Sequence, residues 1–208
     1  MDKRIETLMG NWQKRNIRGL YFSSKEEAVA QLLKMIPASG SIGLSGSRTL
    51  EELGIVNLLA SRGNHTINQY KPGISREESL ELRRQSVAAD YYLASANAVS
   101  ETGELVFLSA FGHRTAGVSL ARNVFILCGK NKLTPSLEEA LKRAREYVTP
   151  LNCKRLNWKA ACLEDGICHN ASCFGPEFRR MCCQVLVIEA EIEPGRLTVI
   201  LVDENLGF

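Results

Sequence analysis

The chain has 208 residues, 45% apolar and 24% charged, with seven cysteines and a formal net charge of +3. That length supports one well-filled core and is short for two, and the apolar share is ordinary for a folded domain. The charge is mild and spread along the chain, with no aromatic-plus-basic stripe, which excludes a nucleic-acid footprint.

Residues 1–10 are charged and helix-like, without an apolar core of signal-peptide length. Apolar runs such as 124–128 and 199–202 are far too short to cross a bilayer. The expected location is cytoplasmic, with no membrane partner. The capping box Ser24-Lys-Glu-Glu27 opens an amphipathic helix carrying Val29, Leu32, Leu33 and Ile36, closed by Pro37 and Gly40. A short strand at 41–45 runs through Gly43-Leu-Ser-Gly-Ser-Arg-Thr49 into a helix-like 50–53, which Gly54 ends. Residues 66–70 and 91–95 read as strands. Between them Ser75-Arg-Glu-Glu78 opens a second helix with Leu80, Leu82 and Val87 on it. Residues 98–107 form two strands about a Glu-Thr-Gly turn, so the sheet is mixed. Strands are also expected at 105–109 and 124–128. Ser136-Leu-Glu-Glu139 opens a third helix, with Leu137, Leu141, Ala144 and Val148 as its apolar face and Pro150 as its stop. After a cysteine-rich stretch come strands at 185–189 and 197–202, joined at Pro194-Gly195. The strand–helix–strand order predicts an α/β fold: a mixed, mainly parallel sheet covered by helices. One domain over 1–208, with a cysteine-rich insert at 153–183, is the simplest organisation.

In such sheets ligands gather at the C-terminal strand ends. Gly46, Ser47, Arg48 and Thr49 have that placement, offering backbone N–H groups, two hydroxyls and a guanidinium to a phosphate or carboxylate. The alternative is a plain Ser N-cap beside a solvated arginine. Gly112-His-Arg-Thr-Ala-Gly117 is a second such loop. Gly112 lets a ligand approach the backbone, Arg114 supplies charge, and His113 is a candidate general acid or base near neutral pH, or else a solvated loop histidine. In Ser100-Glu-Thr-Gly103, Glu101 is a candidate nucleophile or base, or the sequence is an ordinary hairpin tip. The three turns are expected to share one mouth, a cationic pocket for a small acid. Neither GxGxxG nor a Gly-Lys-Ser/Thr loop occurs, so a nucleotide cofactor has no support.

Five thiols crowd near the C-terminus: Cys162, Cys168, Cys173, Cys182 and Cys183. Four thiolates are the usual shell of an iron–sulfur cluster or a structural zinc, and Cys162, Cys168, Cys173 and Cys182 are the candidate ligands. Gaps of five, four, eight and zero residues match neither a ferredoxin run nor a zinc ribbon. An odd total in a reducing compartment disfavours disulfides. Metal binding, redox chemistry and plain apolar packing stay open. Cys128, apart from the others, reads as core.

Gly46-Ser-Arg-Thr-Leu-Glu-Glu-Leu-Gly54, Asn97-Ala-Val-Ser-Glu-Thr-Gly-Glu-Leu-Val106, Gly112-His-Arg and Pro150-Leu-Asn152 together resemble the LUD-domain family, the lactate utilization proteins. The ending Thr198-Val-Ile-Leu-Val-Asp-Glu-Asn-Leu-Gly-Phe208 is similar to members with a cysteine-rich tail. The resemblance runs from about residue 5 to the end. It implies a fold of the NagB/RpiA/CoA-transferase-like kind, related to CoA transferases, ribose-5-phosphate isomerase and 5-formyltetrahydrofolate cyclo-ligase. It also implies a role in oxidising L-lactate to pyruvate, as partner of iron–sulfur subunits in a cytoplasmic complex. In CoA transferases a Ser-Glu-x-Gly phrase carries the glutamate that forms the acyl adduct. Glu101 stands in that form, although family members more often have Ala where Ser100 stands. The tail departs as well: relatives read Cys-x5-Cys-x2-Cys before a fourth thiol, whereas here Ala171 occupies the third place, Cys173 lies two residues later, and His169 is spare. Three readings follow. One is a lactate-oxidation component. The second is an enzyme acting on a CoA thioester or a phosphorylated or folate-like acid, with Glu101 reacting and Arg48, His113 and Arg114 holding the anion. The third is a binding subunit with a structural zinc clip. Whether the chain forms a homo-oligomer stays open.

Overall fold

The computed structural model describes residues 2–208. Chain order is α1 (Lys3–Lys14), β1 (Arg18–Phe22), α2 (Lys25–Met35), β2 (Ile42–Leu44), α3 (Arg48–Glu52), α4 (Ile55–Ser61), β3 (Thr66–Ile67), α5 (Arg76–Val87), β4 (Tyr91–Ala94), β5 (Ala98–Ser100), β6 (Leu105–Ser109), α6 (His113–Leu120), β7 (Val124–Gly129), β8 (Leu133–Thr134), α7 (Leu137–Lys142), α8 (Thr149–Arg155), β9 (Gln184–Ile188) and β10 (Leu197–Val202). The three serines cap their helices as the spacing requires. Ser24, Ser75 and Ser136 accept from the N–H groups of Glu27, Glu78 and Glu139 at 3.3, 3.0 and 3.2 Å, opening α2, α5 and α7.

Ten strands divide between two sheets. Six form a wholly parallel sheet in the order β1-β10-β7-β4-β2-β3. The other four, ordered β8-β5-β6-β9, supply the mixed character: β5 and β9 run antiparallel to β6, and β8 parallel to β5. The expected mixed, mainly parallel α/β architecture is present. Pro194-Gly195 therefore links two sheets, because β9 pairs with β6 and β10 with β7 and β1.

The central strands are buried on both faces, and side chains alternate between two cores. Tyr92, Ala94, Ile126, Cys128, Val199 and Leu201 face α1, α6 and the inner side of the second sheet. Leu93, Phe125, Leu127, Ile200 and Val202 face α2, α3 and α4. Cys128 is fully buried in the first core, as expected of a small hydrophobe. A third cluster joins Ala98, Val106 and Leu108, on the outer side of the small sheet, to Ala140 and Ala144.

Two local expectations change. The third strand is only Thr66–Ile67. Pro150 does not stop the third helix. A π-helical stretch, Arg143–Val148, carries α7 into α8 with Pro150 in its first turn. There the Thr149 N–H and, at 2.8 Å, its hydroxyl both donate to the Ala144 carbonyl. The wider turn and this double donation accommodate a residue that lacks an N–H. Because the large sheet is parallel, β2, β4, β7 and β10 all end at one edge, so the segments after Leu44, Ala94, Gly129 and Val202 emerge together.

Candidate functional site

A cavity of about 380 Å³ opens at that edge. Its sheet side is built from the segments just named: Gly46 to Thr49 after β2, Ser95 to Asn97 after β4, Lys132 after β7, and Phe208 after β10. His113 and Arg114, in the first turn of α6, complete it. The 46–49 and 113–114 turns thus meet, as the sequence predicts.

Each residue there has a definite job. Ser47 caps α3, accepting from the Leu50 N–H at 3.4 Å. Arg48 is neutralised within its own helix, lying 3.5 Å from Glu51 and 3.0 Å from Glu52. The N-cap reading therefore describes Ser47 and Arg48 better than an anion clamp does. Thr49 points inward and donates to the Leu206 carbonyl at 3.3 Å. Gly46 has a packing reason: a Cβ there would fall 2.4 Å from the Tyr70 hydroxyl. Its carbonyl accepts from Arg114.

Arg114 is the structural centre. Its guanidinium also donates to the Leu108 carbonyl at 3.1 Å and Asn97 Oδ1 at 3.4 Å, while its Nε is buried with no partner. Lys132, delivered by a 3₁₀ turn at the end of β7, is 3% exposed, and its Nζ donates to the Phe208 backbone oxygen at 2.9 Å. Burial, reinforced by Arg143 and Arg114, pushes its ammonium down to about 8. Arg83 lies across the Phe111 and Tyr70 rings at 4.8 and 5.4 Å. Among the described residues no Asp or Glu side chain pairs with Arg83, Arg114 or Lys132. Five cations (Arg48, Arg83, Arg114, Lys132 and Arg155) line the cavity against one carboxylate, Glu51. That carboxylate is already taken by Arg48 and, at 3.3 Å, by Arg155.

His113 is not poised to exchange protons near neutrality. Burial first, then the charges of Arg114 and Arg83, hold its pKa down at about 3. The imidazole is neutral, with Nε2 3.2 Å from the Tyr70 hydroxyl and Nδ1 buried without a partner. It can orient a ligand by hydrogen bonding, and it adds no charge.

The turn at 100–103 does not reach this mouth. It is the tip of the β5–β6 hairpin in the second sheet, and α1 clamps it. Asn11 donates to the Glu101 carbonyl at 2.8 Å, Trp12 Nε1 to Gly103 at 3.0 Å, and Arg15 Nε to Thr102 at 3.0 Å. The Glu101 carboxylate is paired with Arg4, so the hairpin-tip reading accounts for it. Gly112 also lies outside the main cavity. It caps α6 with φ +85° and faces a neighbouring groove beside Gln184.

The opposite wall comes from α8 and the cysteine-rich segment, which contribute Asn152, Leu156, Trp158 and Met181. Behind it, Cys162, Cys168, Cys173 and Cys182 line a cleft of about 10 Å³, together with His169 and Arg145. Thr149 and Met181 line both spaces. Burial raises the thiols of Cys162, Cys168 and Cys182, and each is raised further by a neighbouring thiol. The four cysteines thus line one cleft, but among the described residues no group of three or more His, Cys, Asp or Glu is drawn together closely enough to hold a metal. Cys183 is exposed and lines a neighbouring groove with Cys173 and Cys182.

Tyr70, Arg83, Lys132 and Phe208 escaped the sequence reading. Lys132 carried a usable signal, since it follows a strand end just as Gly46 does. Tyr70 and Arg83 arrive through the fold alone.

The sequence profile of the LUD domain matches residues 5–202, a domain associated with lactate utilization. Comparison with curated proteins finds none that matches. A solved structure, that of a DUF162 family protein from Deinococcus radiodurans, superposes with a TM-score of 0.52 at 12% identity, over 96% of each chain. At that identity the likeness establishes a shared fold. Among the described residues no helix is long and apolar enough to cross a membrane.

Proposed function

The chain belongs to the LUD-domain family, and from that premise we propose that it takes part in oxidising L-lactate to pyruvate, beside iron–sulfur subunits in a cytoplasmic complex, with the cavity as its organic-acid site. The observation that carries this reading is the pair Lys132, which is buried, and Arg114, half-buried with its Nε enclosed and unpartnered, neither of which has an Asp or Glu partner. Unpaired buried charge is costly, and a bound acid would offset that cost. In this reading the Arg114 guanidinium and Lys132 Nζ hold the carboxylate, while neutral His113 and the Tyr70 hydroxyl orient the remaining oxygen. Conversion of L-lactate to pyruvate releases two electrons and two protons; the iron–sulfur subunits would supply the acceptor for the electrons, and the protons would pass to solvent. Glu101 has no part in it, being held by Arg4 away from the cavity. Deleting the gene should abolish growth on L-lactate as sole carbon source; undiminished growth would remove the reading.

A second reading concerns the thiols. Cys162, Cys168, Cys173 and Cys182 share one small cleft, and mutual repulsion of their thiolates is what a bound cation would relieve. The donor chemistry fits zinc or an iron–sulfur cluster. A cleft of about 10 Å³ is nearer to the space of a single ion than to that of a cluster. The bound metal would fix the wall carrying Met181 and Trp158. Metal analysis with a visible spectrum of anaerobically purified protein decides it. Zinc at one equivalent and no colour supports the clip, brown absorbing protein supports a cluster, and metal-free protein removes both.

A further inference from the structure

Resting on the reading of this cavity as an anion site, we propose that beyond lactate it takes a larger ligand with the same head: an organic acid whose anionic head is joined to a flat aromatic or heteroaromatic body. Volume is the first argument. Lactate has six heavy atoms, and even at the roughly 30 Å³ that a water occupies in the liquid these fill about 180 Å³, under half of the 380 Å³ present.

The second argument is the division of the walls. Charge and hydroxyls lie on the sheet side, at Arg114, Lys132 and Thr49. The far side and rim are mainly apolar, with Phe111, Val148, Leu156, Trp158 and Met181 around Asn152 and Arg155. Phe111 and Leu156 stand 41% and 48% exposed, although large apolar side chains at a pocket mouth are more stable covered. Phe111 is not mobile filler. Its ring meets Trp158 edge-on at 5.9 Å and carries the Arg83 guanidinium on its face. A preformed aromatic patch sharing one cavity with fixed cations matches a ligand with a flat body and one charged end. A three-carbon hydroxy acid can satisfy the cations only.

Calorimetric titration of the purified chain with matched ligands tests this. L-Lactate carries the head alone, L-3-phenyllactate the head and a flat body, and 3-phenyl-1,2-propanediol the body without charge. Phenyllactate should bind at least ten-fold more tightly than lactate, and the diol should not bind measurably. Leu156→Ala, at an exposed position that leaves the core intact, should weaken phenyllactate several-fold and lactate much less. Equal affinity for lactate and phenyllactate would overturn the larger ligand and leave the anion site standing. Equal affinity for phenyllactate and the diol would overturn the anion site itself. Failure of all three to bind would overturn both.

Discussion

Arginines gather at two places in this molecule and are treated in opposite ways. Where α1 meets the β5–β6 hairpin, each guanidinium has a carboxylate: Arg4 pairs with Glu101, and Arg15 lies 2.6 Å from Glu104 while also donating to the Thr102 carbonyl. Nothing is left over for a ligand, and the charges serve to fasten a turn. At the strand ends Arg83 and Arg114, with Lys132, have only backbone oxygens, hydroxyls, an amide and aromatic faces for company. Similar residue types thus act as fasteners where acid side chains reach them and, in the proposed reading, as a receptor where none does. The difference lies in the partners, not in the arginines.

That contrast can be broken experimentally, and the largest effect belongs to the fastened end. Trp12 is fully buried and its indole N–H donates to Gly103. Trp12→Ala should cost about 3–5 kcal/mol in urea unfolding, with anion affinity of the folded fraction unchanged. At the receptor end, Arg114→Met should lower acid affinity by more than ten-fold in calorimetry, and Arg4→Met should not alter it. If both lower it alike, the division into fastener and receptor is wrong.

Proton linkage sharpens the comparison further. Lys132 titrates near 8 when folded against 10.5 ordinarily. Anion affinity should therefore fall as pH rises through 8, and Lys132→Met should flatten that profile. Without ligand the sign of stability is the reverse. Between about 8 and 10.5 the unfolded chain holds the extra proton, so the unliganded fold gains stability as pH rises across that window. His113, held near 3 against 6.5, contributes stability that is complete above 6.5 and lost as pH falls towards 3. Its ring resonances should show no titration between pH 5 and 8, and His113→Gln should reduce the acid slope of stability. The smallest effect is at Glu101, whose pair with Arg4 is solvent-exposed. Glu101→Gln should change unfolding free energy by less than about 1 kcal/mol and leave acid binding as it was.

Local rules located much of this architecture. Three Ser-x-x-Glu boxes marked three helix starts because the cap bonds form between residues three apart in the chain. The antiparallel pair at 98–107 was readable because Gly103 permits the turn between its strands. The π-helical passage across Pro150 was not readable, since it depends on Thr149 finding the Ala144 carbonyl in a wider turn. Gly46 to Thr49 and His113-Arg114 were picked out as loops at strand ends, a rule of parallel sheets. The roles within them were not, because neutralising Arg48 takes Glu51 and Glu52, and lowering the His113 pKa takes burial among distant cations.

From its sequence alone this protein was committed to helix starts, a mainly parallel sheet and membership of its family, all of which rest on patterns of neighbouring residues. Only the tertiary structure decided that Glu101 is paired off behind α1, that Lys132 and Arg83 join Arg114, and that the cysteine segment walls the cavity. Those outcomes depend on how far one charge lies from another and how much water remains between them, and no spacing along a chain encodes either.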